Sequence, residues 1–281
     1  MGSNARALDL RLPSGRLHSL RSGPPGGPPV ICVPGLSANC RSFDLVAAAL
    51  AETGHDVLAL DLRGRGRSPP TGAGTHGWRL HAQDVLDAGE QLGFRSFDLI
   101  GHSMGAFVSM QAAALAPERL RRLVLIDGAG VPEPTALPPI LAGVQRLGVV
   151  YPTQEEYCAV VQRSGAVQPW DALWRDHYLE ELETVPSGVR PRTSKEAVVE
   201  DLVYGSKQDA KTFWPLLTMP TLLVRASRPI VPGGGSIVGL SLRDAFLDAV
   251  PSARSVEIDA NHMGVMAHPD ALRAIADFLA A

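Results

Sequence analysis

Along much of the chain, short apolar runs alternate with stretches whose hydrophobic residues recur at helical spacing. Val30-Ile31-Cys32-Val33 and Phe97-Asp98-Leu99-Ile100 read as strands covered on both faces. Apolar runs over 56–62 and 120–127 predict two more strands, and the spacing predicts helices over 45–52, 78–92 and 106–115. Two alternating segments, 7–12 and 16–20, flank Pro13-Ser14-Gly15 and predict an opening hairpin. Later come strands over 220–226 and 255–259 and a helix over 241–249. A closing helix over 269–279 carries its apolar stripe at Leu272, Ile275, Phe278 and Leu279. Strands alternating with helices in this way imply an α/β protein with a doubly wound, mostly parallel sheet.

Between 131 and 217 that rhythm is lost. The segment reads as helical, with helices expected over 154–162, 170–182 and 194–204. Aromatic residues make up only 5% of the chain, yet all four tyrosines and three of the four tryptophans fall here. The expected organisation is therefore a core of residues 1–130 and 218–281, interrupted by a helical cap, or lid, over 131–217. Its rings supply a small core of their own or contact an apolar substrate, with Trp170, Trp174, Tyr178 and Tyr204 as the candidate contacts.

Composition narrows the partners. A net charge of −3 gives no basis for binding nucleic acid or an anionic membrane surface, which leaves a small-molecule substrate. No run of 18 or more apolar residues occurs. The three cysteines are odd in number and lack metal-ligand spacing, so a reducing, cytoplasmic setting is expected, with Cys32 as a small core residue. No H-E-x-x-H and no dinucleotide-type glycine fingerprint is present, and the expectation is no metal and no cofactor.

The chemistry concentrates in Gly101-His102-Ser103-Met104-Gly105, which joins an apolar strand to a small-residue helix. In that context G-x-S-x-G forms a sharp elbow, with the serine in strained geometry and the helix's first N–H groups beside it. Ser103 is the nucleophile candidate, and a serine hydroxyl needs a base. Of the eight histidines, His262 follows the last strand at its C-terminal end, where catalytic groups of open α/β sheets collect. His268, at the approach to the final helix, is the fallback.

These pieces resemble the α/β-hydrolase-fold enzymes over essentially the whole chain. The matching residues are Val33-Pro34-Gly35-Leu36, the stretch from Asp61 to Ser68, the elbow and Asn261-His262. The resemblance implies that the backbone N–H groups of Leu36 and Met104 form an oxyanion hole, and that Asp61 and Arg65 stabilise the loop after their strand. The family's orienting acid commonly follows the strand read here as Thr221-Leu222-Leu223-Val224, but Pro229 occupies that place. Haloalkane dehalogenases and a mycotoxin lactonase are similar in keeping the acid after the preceding strand, which here is Asp127. Asp244 is the alternative, and a serine–histidine dyad without an acid is a third arrangement. The implied activity is hydrolysis of a carboxylic ester or lactone through an acyl-enzyme, the acyl group being apolar or aromatic. The same scaffold also serves amidases, carbon–carbon hydrolases, perhydrolases, lyases and ligand-binding receptors.

Overall fold

The computed structural model describes residues 5–281, so residues 1–4 of the expected core lie outside the described residues. The chain opens with β1 (Arg6–Leu12) and β2 (Gly15–Ser22), then runs through β3 (Pro29–Val33), α1 (Asp44–Glu52), β4 (Asp56–Leu60) and α2 (Trp78–Gln91). Next come β5 (Phe97–His102), α3 (Met104–Leu115) and β6 (Leu120–Ile126). The following stretch contains α4 (Leu137–Gln145), α5 (Gln154–Arg163), α6 (Ala172–Glu180), β7 (Leu182–Val185), β8 (Gly188–Pro191) and α7 (Lys195–Gly205). It returns through β9 (Thr221–Ala226), α8 (Leu240–Ala249), β10 (Ala253–Ile258) and α9 (Pro269–Ala280).

Eight strands form one sheet in the order β1-β2-β4-β3-β5-β6-β9-β10. The β1–β2 and β2–β4 pairings are antiparallel and every pairing beyond is parallel. Side chains along the central strands alternate between two buried layers, because successive residues of a strand face opposite ways. Ile31, Val33, Leu58, Leu60 and Leu99 join the layer under α2 and α3. Val30, Cys32, Val57, Ala59 and Ile100 join the layer under α1 and α9. Cys32 is a fully buried core residue, as expected. The stripe of α9 buries Ile275, Phe278 and Leu279, while Leu272 packs at its margin.

Strand order decides where a site can form. From β3 the chain first winds outward to β4 and then crosses to β5 on the other side, so the connections after β3 and β5 diverge. A crevice opens at the C-terminal ends of such a pair. Val33 is level with Gly101, which brings the residues after β3 beside the residues after β5. His102 is level with Ile126, which places Asp127 next to Ser103.

The stretch between β6 and β9 holds helices α4 to α7 and, as a correction to its helical reading, one β-hairpin. Residues 182–191 form the β7–β8 hairpin, which Tyr151 joins through a bridge to Val189. The helix expected over 170–182 instead begins at Ala172, where the Asp171 carboxylate accepts from the Trp174 amide, and ends at Glu180. The β-branched pair Thr184-Val185 and the Pro186-Ser187-Gly188 turn favour the hairpin, but its strands are four residues each, too short for alternation to show. Helix α4 adds an element that the hydrophobic spacing does not predict.

Candidate active site

The elbow glycines are required by contact. A Cβ on Gly101 would lie 2.2 Å from the Gly105 carbonyl oxygen, and one on Gly105 would lie 2.1 Å from the Val33 carbonyl oxygen. Only glycine lets β5, α3 and the loop after β3 approach this closely. Ser103 sits between them at φ 56° and ψ −121°, with its amide donating to the Ile126 carbonyl at 2.9 Å. From Gly101 to Ala106 it is the one residue that is not buried. The turn thus lifts a single hydroxyl out of an otherwise closed surface.

Asp127 shares this strain. Among the described residues, Ser103 and Asp127 are the two non-glycine positions with positive φ, 56° and 45°. Such backbone costs on the order of 1–3 kcal/mol per residue and persists only where the surroundings enforce it. Here the Asp127 amide donates to Val224 O at 2.8 Å, and its Oδ1 accepts from the Ala226 amide at 3.2 Å. The following Gly128 has no room for a side chain, since a Cβ there would lie 2.7 Å from the Ser103 carbonyl oxygen. The other carboxylate oxygen, Oδ2, meets His262 Nδ1 at 2.7 Å. Both side chains are buried.

His262 is fixed from several directions. Asn261 accepts from the Gly264 amide at 2.9 Å through Oδ1 and donates through Nδ2 to Ala166 O and Ile230 O at 3.0 and 3.2 Å. His102 stacks on the His262 ring with centroids 4.6 Å apart and donates from Nε2 to the His262 carbonyl at 3.1 Å. Burial, and then the proximity of His262, push the His102 pKa well below the usual histidine value, so His102 supports its neighbour as a neutral ring. The Ser103 hydroxyl and His262 are not hydrogen-bonded to each other. Bonds of this kind tighten when a reactant is bound. With Nδ1 engaged by Asp127, Nε2 is the ring nitrogen available for proton exchange.

The structure pairs the expected Asp127 with His262, sets Asp127 beside the Ser103 elbow, and separates the alternatives from them. Asp244 lies on the exposed side of α8, where Arg243 donates to its carboxylate. His268 accepts from the Asp270 amide at the start of α9. Gly35 lies against the elbow, a Cβ there being 3.3 Å from Ser103 Cβ, so half-buried Leu36 follows directly beside the serine. Met104 is buried at the first turn of α3.

The four candidate contact residues are engaged with other rings. Trp170 stacks on Tyr178 at 5.8 Å, and Trp174 meets His177 edge-on at 5.6 Å. Tyr204 meets Trp78 edge-on at 6.0 Å. Trp174 and Tyr178 are buried, whereas Trp170 and Tyr204 keep partial exposure.

Two clusters are invisible in the sequence. His18, Cys40 and Asp61 converge, their nearest donor atoms within 4.8 Å of one another. Both Asp61 oxygens already accept backbone amides, from Cys40 and Arg67 at 2.7 Å each, which matches the loop-fastening role expected of this aspartate. The second cluster joins fully buried Arg65 to Asp201 of α7 and His81 of α2. Burial pushes Asp201 up, but the His81 hydrogen bond and the His81 and Arg65 charges outweigh it and hold the pKa at about 2. No spacing rule links residues so far apart in the chain.

Residues 28–269 match the family described as the alpha/beta hydrolase fold, and the chain belongs to that family. It is 31% identical over 223 residues to N-formylmaleamate deformylase of Pseudomonas putida, a match covering 76% of this chain and 75% of that protein. An sn-1-specific diacylglycerol lipase of Xenopus laevis is 34% identical over 133 residues, covering 46% of this chain and 42% of the lipase. The chain thus spans less than half the length of that relative. In three dimensions it superposes on E-2-(acetamidomethylene)succinate hydrolase with a TM-score of 0.87 at 23% identity, over 99% of this chain and 100% of the other, a likeness of fold. Among the described residues, no helix is long and apolar enough to cross a membrane.

Proposed function

We propose that the chain is a serine-dependent acyl hydrolase acting on a carboxylic ester or lactone of a small molecule. The observation that carries this reading is the 2.7 Å pair of Asp127 and His262 beside a serine held at positive φ. In the first half-reaction, Ser103 Oγ attacks the acyl carbon while its proton passes to His262 Nε2. The Asp127 carboxylate accepts from Nδ1–H, fixes the tautomer and stabilises the imidazolium. The Leu36 and Met104 amides receive the oxyanion, a contribution of about 3 kcal/mol per donor in comparable sites. Collapse expels the alkoxide, which takes the proton from His262 and leaves an acyl-serine. Water then repeats the cycle and releases the acid.

The stretch from 131 to 217 acts as the cap in this reading. It is tied to one side of the crevice by Ser194, whose amide donates to Gly64 O at 2.8 Å. On the other side, Asn261 donates to Ala166 O at 3.0 Å. Of the four candidate contacts, Trp170 and Tyr204 are the two with ring surface left to offer an apolar acyl group.

A second reading, cleavage of a carbon–nitrogen acyl bond, draws on the deformylase, which matches three-quarters of the chain. It uses the same residues with an amine as leaving group. A receptor without turnover draws on the acid missing after β9, and the contact of Asp127 with His262 argues against it.

Purified protein assayed on p-nitrophenyl butyrate, γ-nonalactone and formanilide separates these readings. An ester or lactone preference that vanishes in Ser103→Ala supports the proposal, and a formanilide preference moves it to the second reading. Absence of turnover on all three, or full turnover in Ser103→Ala, overturns it.

A further inference from the structure

Among the described residues Arg65 is the largest fully buried side chain, and its guanidinium is held on three sides. Nε donates to the Leu36 carbonyl at 3.1 Å, and Nη1 donates to the Arg63 carbonyl at 2.8 Å. Nη2 donates to Asp201 Oδ2. Asp201 is itself buried and also accepts from His81 Nε2, at 2.9 Å to Oδ2. Leu36 and Arg65 belong to the core, whereas Asp201 sits on α7 in the stretch between β6 and β9. Leu36 also packs against Val144, Leu147 and Val198 of that stretch.

A buried arginine needs a counter-charge and partners for its donors. Those needs would be met by any carboxylate and any carbonyls. Here one of the carbonyls is that of Leu36, the residue beside Ser103 whose amide is assigned to the oxyanion. A planar, forked guanidinium fixes direction as well as distance, so the hydrogen bond to Leu36 O sets how the 35–37 backbone is turned.

We infer that Arg65 is a positioning residue for the oxyanion loop and that Asp201 makes its placement depend on the cap. This rests on the acyl-transfer reading above. The cap then does more than cover substrate: α7 anchors the guanidinium that orients the Leu36 backbone. Displacing α7 loosens an oxyanion donor without touching Ser103, His262 or Asp127. Removing one oxyanion donor in comparable sites lowers kcat by about 10²–10³, and loosening one is expected to cost about tenfold to a hundredfold.

The test compares Asp201→Asn with the double variant Arg65→Met/Asp201→Asn. The single variant leaves a buried guanidinium without its counter-charge, so its melting temperature falls. The double variant removes that charge and recovers most of the loss, but nothing then holds Leu36 O. Its kcat on p-nitrophenyl butyrate is expected to stay at least about tenfold down with KM within about twofold of wild type. The rate of Ser103 phosphonylation by a fluorophosphonate falls by the same factor. Recovery of kcat together with the melting temperature overturns the inference, as does failure of both variants to fold, either result making the pair a fold-stabilising ion pair. Wild-type protein that neither hydrolyses the ester nor reacts with the fluorophosphonate would instead overturn the acyl-transfer reading itself.

Discussion

Asp127 Oδ2 approaches His262 Nδ1 to 2.7 Å from the strand beside the elbow, not from the loop after β9. The pairing follows from register. Ile126 is level with His102 on one side and with Val224 on the other, so the residue after β6 emerges between Ser103 and the last two strands. From there a carboxylate reaches the loop after β10. The carboxylate that meets His262 thus comes from the end of β6, while Pro229 stands after β9.

If this pair orients the base, Asp127→Asn leaves the fold intact and lowers kcat by about a thousandfold or more, through loss of the required tautomer. Asp244→Asn, on exposed α8, is expected to keep wild-type kcat. Steady-state hydrolysis by the two purified variants checks both outcomes.

The elbow glycines make a prediction about stability. In Gly105→Ala the new Cβ meets the Val33 and Pro34 carbonyl oxygens at 2.1 and 2.7 Å, and backbone on both sides has to move. Overpacking of this kind costs about 1–3 kcal/mol, with backbone contacts at the upper end. Gly143 in α4 is the control: it is exposed, and a Cβ there meets nothing within 4 Å. Gly143→Ala is expected to stabilise by about 0.5–1 kcal/mol through helix propensity. Thermal or urea unfolding of the two variants should move in opposite directions.

Asp201 sets an acid limit. Its folded pKa of about 2 lies below the ordinary value of 3.8, so its charged form is favoured by folding. The stabilisation is present in full above about pH 4 and is lost as pH falls through 2. It amounts to about 2 kcal/mol. Urea unfolding between pH 6 and pH 2 should show wild type losing that much more stability than Asp201→Asn. Parallel losses would contradict the assigned charge.

The features legible in the amino-acid sequence are those encoded locally. Paired apolar runs announce the buried strands, and Gly101 and Gly105 announce the elbow because steric exclusion at a sharp turn acts on near neighbours. His262 stands out by its place after the final strand, and Asp127 enters through the family resemblance. What stays hidden depends on contacts between distant segments. The β7–β8 hairpin is too short to show alternation, His102 stacks across to another loop, and the tie from Asp201 through Arg65 to Leu36 joins three separated stretches. Gly128 is a local signal that is easily missed: a glycine directly after the candidate acid marks a backbone approach, here to the Ser103 carbonyl.

Whether His262 activates Ser103 is tested most directly by the intact mass of the protein after exposure to a fluorophosphonate, followed by peptide mapping. A single adduct on Ser103 is expected, formed far more slowly in His262→Ala and absent in Ser103→Ala, with ester turnover lost in step. Labelling at another residue, or undiminished labelling of Ser103 without His262, would contradict it.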